Sequence, residues 1–189
     1  MKLDGLVFIT SNPGKAREVA RFLGREVKAV PLDLPEIQDV SFDVVARRKA
    51  LDAAKAAGTP VLVEDSGLEV AAWNGFPGAL TKWITVHSSQ ETLARMLDGF
   101  ADRRAEAVSA LAIAGPDDRE GDVLVVEGRV KGSLATEPRG ANGFGWDVLF
   151  IPDGDTRTFA EMELGEKDAI SHRFRAFEAL RRALAAQKL

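Results

Sequence analysis

The chain has 189 residues, 46% of them hydrophobic, which is the size of one domain able to close a core, so residues 1–189 are expected to form a single domain. Its 25 lysines and arginines against 29 aspartates and glutamates give a net charge of −4, which excludes a surface built to wrap nucleic acid; a bound phosphate would need locally concentrated cations. Cysteine is absent, excluding disulfides and thiolate or zinc–thiolate chemistry, and no stretch reaches the length of a signal h-region or a membrane span, so a cytoplasmic protein with neither membrane nor nucleic-acid partners is expected.

Residues 6–10 read as a buried strand, broken by Ser11-Asn12-Pro13-Gly14, and residues 15–23 have helical spacing with Val19, Phe22 and Leu23 inward and Gly24 as a stop. Residues 27–32 read as a second strand. After a loop around Pro35 to Asp39, a long helix is expected over residues 43–57, ended by Gly58. Residues 60–64 form a third apolar strand closed by a turn containing Asp65 and Gly67, and this alternation predicts an α/β fold with helices flanking an elongated mixed sheet. Residues 105–114 and 122–130 suggest a long antiparallel hairpin, extending as a lobe with a cleft beside it, and residues 146–151 a further strand. From Ser171 onward Phe174, Phe177, Leu180 and Leu184 recur at helical spacing, with Arg175, Arg181 and Arg182 on other faces.

Five short segments carry polar groups suited to chemistry, each with an ordinary structural alternative. Thr10-Ser11-Asn12-Pro13-Gly14-Lys15 joins a strand to a helix, where free N–H groups and the helix dipole attract phosphate; an N-capped turn explains it equally. It is not a Walker A loop, since Ile9 and Ala16 stand where glycine and Ser or Thr are required. Glu64-Asp65-Ser66-Gly67, with Glu36 available from an earlier loop, offers oxygen ligands for magnesium or a base for water, or else a solvated acidic turn. Lys82 follows the Asn74-Gly75-Phe76-Pro77-Gly78 loop and either reaches a phosphate or lies on the surface beside Trp83. Gly143-Phe144-Gly145-Trp146-Asp147 pairs flexible backbone with aromatic faces that stack on a base, Asp147 accepting from a ring N–H, or is a glycine-rich turn with core aromatics. In the last segment Ser171 caps a helix, and Lys167, His172 and Arg173 place cations at its start against the helix dipole, which calls for an acceptor in front of them.

In order, Thr10 to Lys15, Leu34-Pro35-Glu36-Ile37-Gln38, Val63 to Leu68, Gly75 to Gly78, Phe144 to Asp147 and Ser171-His172-Arg173 resemble the inosine triphosphate pyrophosphatase family over roughly residues 7–177. The resemblance implies a mixed α/β fold with a nucleotide cleft between two lobes, working as a homodimer with magnesium. It assigns Asn12, Lys15, Lys49 and Lys82 to the triphosphate, together with the Thr10-Ser11-Pro13-Gly14 backbone and Ser66. Glu36, Glu64 and Asp65 would bind metal, Asp65 also acting as base. Phe144, Gly145, Trp146 and Asp147 would enclose the base, and Lys167, His172 and Arg173 would complete the pocket and read a 6-oxo group. The chain departs from the family pattern at Ala79-Leu80, where an aromatic residue is common, and at Trp146, where many relatives carry tyrosine. Two other readings compete: a pyrophosphatase for pyrimidine or modified nucleotides, similar to the septum-formation inhibitor family, and a nucleotide sensor without turnover.

Overall fold

The structure is a computed structural model that describes residues 6–23 and 28–186; the expected stop at Gly24, the start of the second strand at Val27 and the side chain of Leu23 lie outside what is described. In chain order the elements are β1 (Val7–Ile9), α1 (Pro13–Leu23), β2 (Ala29–Val30), α2 (Phe42–Ala57), β3 (Val61–Val70), β4 (Pro77–Gly78), α3 (Thr81–His87), α4 (Gln90–Arg95), β5 (Arg104–Ala114), β6 (Leu124–Leu134), β7 (Phe150–Pro152), α5 (Leu164–Ile170) and α6 (His172–Ala186). They form the expected mixed sheet, ordered β2-β1-β3-β5-β6-β7 with β4 on β3; β1 runs parallel to β2 and β3, and the other pairs are antiparallel.

Local chemistry sets the long helix. Ser41 Oγ accepts from the Val44 N–H at its start, and Gly58 ends it at φ 62°, the left-handed conformation that glycine adopts without strain. Its alanine-rich face packs with Val61, Val63, Ala110 and Ala112 on one face of the sheet. On the other face α6 brings Ala176, Phe177, Leu180 and Leu184 against Phe8, Leu62, Leu111 and Ile113. Helix α6 presses directly on β6 at Gly128, where a Cβ would collide with the Ala176 nitrogen and the His172 carbonyl. That backbone contact fixes the height at which α6 begins, and with it His172 and Arg173.

Two expectations are corrected. Residues 64–67 are not a turn at a strand's end: β3 continues unbroken to Val70, paired along its whole length with β5, because the hairpin partner supplies hydrogen bonds beyond the point where β1 stops. Residues 146–151 are not one strand either. Gly145–Val148 is a 3₁₀ turn held by the Asp147 carboxylate, which accepts the Phe144 N–H at 2.8 Å, and only Phe150–Pro152 joins the sheet.

Candidate active site

The parallel pairing of β1 with β3 ends at Ile9↔Val63, whereas β3 runs on, so the sheet has a step just where Glu64 and Asp65 begin. A cleft of about 370 Å³ opens at this step. Of the residues singled out from sequence, Thr10, Ser11, Asn12, Lys15, Glu36, Lys49, Glu64, Asp65, Ser66, Lys82, Phe144, Gly145, Trp146, Asp147, His172 and Arg173 line it. Pro13, Gly14 and Lys167 do not. Pro13 opens α1, Gly14 lies beneath the Phe144 ring, and Lys167 is buried behind the wall at 1% exposure.

At the strand-to-helix loop the capping reading and the anion-site reading coexist. Asn12 Oδ1 accepts from the Gly14 and Lys15 amides at 2.8 and 3.2 Å, so its side chain is committed to capping α1. Lys15 points into the cleft, its Nζ 3.9 Å from Glu64 Oε2. Burial lowers its pKa, while Glu64 and Asp65 pull it back up.

Strand alternation separates the two acidic residues. Val61 and Val63 face α2, Leu62 faces α6, and the same parity sends Asp65 to the α2 side and Glu64 to the α6 side. They are therefore not side by side in an acidic turn, although both reach the cleft, which wraps around the step. Glu64 is 2% exposed and Asp65 7%; burial raises both pKa values, opposed chiefly by Lys15. Glu64 Oε1 accepts from Arg173 Nε and Ser109 Oγ, each at 2.8 Å. Glu64 Oε2 and Asp65 Oδ2 are buried without a hydrogen-bond partner among the described residues.

On the Asp65 side, Glu36 pairs with Lys49 at 2.6 Å and with Lys82. Burial works to raise the Glu36 pKa, but the charge and hydrogen bond of Lys49, then those of Lys82, hold it down at about 2. Lys82 is placed by Thr81, whose hydroxyl accepts the Leu68 N–H at 2.8 Å and donates to the Gly78 carbonyl at 2.7 Å, docking the start of α3 on β3.

The far end of the cleft is aromatic and charged. Trp146 and Phe159 flank the His172 ring at centroid distances of 5.0 and 6.2 Å, and the Phe144 ring lies 5.2 Å from Lys167 Nζ and 5.5 Å from the Arg173 guanidinium. The acceptor demanded by the cationic start of α6 is supplied by the protein itself. Lys167 donates to Asp147 at 2.6 Å and to Glu18 at 2.8 Å, and Arg173 binds Glu18 as well as Glu64. Ser171 caps α6 as expected, its Oγ accepting the Phe174 N–H at 3.1 Å. Both His172 ring nitrogens are buried without a partner among the described residues, and burial, then the charges of Lys167 and Lys15, lower its pKa well below the usual value, which favours the neutral ring.

Sequence reasoning missed Glu18, which joins Lys167 to Arg173, and Ser109 beneath Glu64. It also missed Ile9, Leu32, Thr81, Thr85 and Val86 in the cleft wall. Only Glu18 had a sequence signal: it lies one position before the inward-facing Val19 in α1, too weak a sign to set it apart from a solvated helix residue.

A sequence model of the Ham1 family matches residues 6–183. The chain belongs to the Ham1 family. A dITP/XTP pyrophosphatase of Methanopyrus kandleri is 40% identical to it over 92% of each chain, and an inosine triphosphate pyrophosphatase of Yarrowia lipolytica is 44% identical over 95% of each. Among solved structures, a HAM1 protein from Coxiella burnetii aligns with a TM-score of 0.79 at 32% identity, covering 96% of this chain and 99% of that one. The Ham1 match thus spans the step in the sheet, the lysines of α2 and α3 and the aromatic turn, which are the parts that build the cleft.

Proposed function

We propose that this Ham1 chain is a single-domain nucleoside triphosphate pyrophosphatase. It hydrolyses non-standard purine nucleotides, the inosine, deoxyinosine and xanthosine triphosphates, to monophosphate and pyrophosphate, keeping them out of nucleic acids. Magnesium is its cofactor, and it acts as a homodimer in the cytoplasm, with the nucleotide between two lobes. The names of the relatives support the substrate class. The observation that carries the reading is one cleft with lysines at one end, a lined aromatic pocket at the other, and a buried, bare carboxylate oxygen of Asp65 between them.

The donor set fits a divalent cation. Glu64 and Asp65 are both buried, and among the described residues one oxygen of each, Glu64 Oε2 and Asp65 Oδ2, is orphaned. Among the described residues no three acidic or histidine side chains converge into a preformed cage. Magnesium needs none, since one or two carboxylates and the substrate phosphates suffice. Asp65 and Glu36 would hold it, with Glu64 contributing charge from behind. When bound, it supplies charge neutralisation at the phosphate oxygens.

In the proposed reaction Asp65 takes a proton from water as the water oxygen bonds to the α-phosphorus, and the bond from that phosphorus to the bridging oxygen breaks. Lys15, Lys49 and Lys82 stabilise the departing pyrophosphate. At the other end His172 and Arg173 present N–H donors to a 6-oxo group. A 6-amino group meets them donor to donor and leaves buried groups unpaired, which disfavours adenine.

Turnover in isotopically labelled water tests this chemistry. The heavy oxygen is expected in the monophosphate alone, with turnover abolished by a chelator and restored by magnesium. Label in pyrophosphate or orthophosphate, or turnover indifferent to chelation, would contradict it.

A further inference from the structure

Strand β5 runs through the middle of the sheet, and around Ser109 its residues Ala107, Val108, Ala110, Leu111 and Ala112 are apolar and buried. Ser109 is itself 0% exposed. A hydroxyl in that setting is unfavourable unless bonded, and its bond goes to a carboxylate: Ser109 Oγ donates to Glu64 Oε1 at 2.8 Å. The same oxygen accepts Arg173 Nε at 2.8 Å. The register explains the reach, since Ser109 lies opposite Ser66 and alternation sets it on the same face as Glu64.

Glu64 is thereby held from beneath by β5 and from the side by α6, while its other oxygen stands 3.9 Å from Lys15 Nζ. One carboxylate thus links a cation at the base end of the cleft to a cation at the phosphate end. We infer that Ser109 is a positioning residue for base selection: by fixing the rotamer of Glu64 it fixes the Arg173 guanidinium, whose rigid fork of donors has to meet the base in one orientation. The inference rests on the pyrophosphatase reading above and deepens it. Arg173 is held at its other contact by Glu18. Without the Ser109 hydroxyl, Glu64 keeps its burial and its bond to Arg173 but loses a donor and a direction, so the Arg173 Nε is anchored to a carboxylate free to turn.

The test is the ratio of kcat/KM for inosine triphosphate to that for adenosine triphosphate, in the wild type, in Ser109→Ala and in Ala112→Gly. The last loosens the same strand on its opposite face, away from Glu64. Ser109→Ala is expected to lower the ratio about tenfold, the low end of what a hydrogen bond to a charged group contributes, and Ala112→Gly to leave it within about twofold. Calorimetric affinities for inosine and adenosine monophosphates should converge in the same variant, a readout independent of turnover. An unchanged ratio in Ser109→Ala, or an equal fall in both variants, overturns the positioning role. A wild type without inosine preference overturns the functional reading instead, and the inference falls with it.

Discussion

Asp65→Asn is expected to lower kcat by about 10²–10⁴-fold while nucleotide still binds, the range that loss of a general base produces. The substitution keeps the shape and one acceptor oxygen but cannot take a proton. Asp65 stands in β3 at the step of the sheet, 7% exposed, with Oδ2 unpartnered among the described residues. Burial raises its pKa above the ordinary value, and the charges of Lys15 and Lys49 restrain the rise. A carboxylate whose folded pKa exceeds its unfolded one favours folding only at low pH, and that contribution is lost as pH climbs through the folded value. At neutral pH the wild-type carboxylate is therefore a liability, and Asp65→Asn should melt no lower than the wild type. Steady-state rates, calorimetry with inosine triphosphate and a thermal melt check the three parts together. Undiminished turnover removes Asp65 from the base role; loss of both fold and binding makes it structural.

The second large effect concerns stability. Lys167→Met keeps the side chain's bulk but removes the charge between Glu18 and Asp147, and a loss of ~3–5 kcal/mol is expected from stranding buried carboxylates. The site is among the most enclosed in the protein, with Lys167 at 1% exposure and bonds of 2.8 and 2.6 Å to its two partners. Burial already raises the Asp147 pKa, and Lys167 is the main influence opposing it. Without the lysine that pKa rises further, so the folded variant binds a proton that the unfolded chain does not. The deficit should accordingly be smallest in mild acid and grow as pH rises through the folded value. Urea unfolding across that interval measures it; a deficit independent of pH would mean that packing, not charge, is the lost contribution.

Much of this was legible in the chain. Helix α2 was bounded within a residue by its hydrophobic spacing and by Gly58, and the β5–β6 hairpin was signalled by two apolar runs about a Gly-Pro-Asp-Asp turn, although β6 runs from Leu124 to Leu134 rather than over residues 122–130. Polar residues clustered at short motifs line one cleft, because most of those motifs sit at the ends of elements that the sheet brings to the step at which Glu64 and Asp65 lie within β3. What stayed hidden depends on distant partners. Asp65 and Gly67 read as turn residues because nothing local reveals that β5 will pair with them. Trp146 to Ile151 has strand composition, yet Asp147 bends it by accepting the Phe144 N–H across three residues. Glu18 looks like a solvated helix residue until Lys167, 149 positions later, meets it in the interior. The same holds for the charges at the start of α6, whose counter-ions come from α1 and β3.

The central claim is tested most directly by pyrophosphate release from a panel of inosine, xanthosine, guanosine, adenosine and deoxyuridine triphosphates, with and without magnesium. The cleft described above predicts magnesium-dependent release confined to the inosine and xanthosine nucleotides. Preference for the pyrimidine, or nucleotide bound but never hydrolysed, would contradict it.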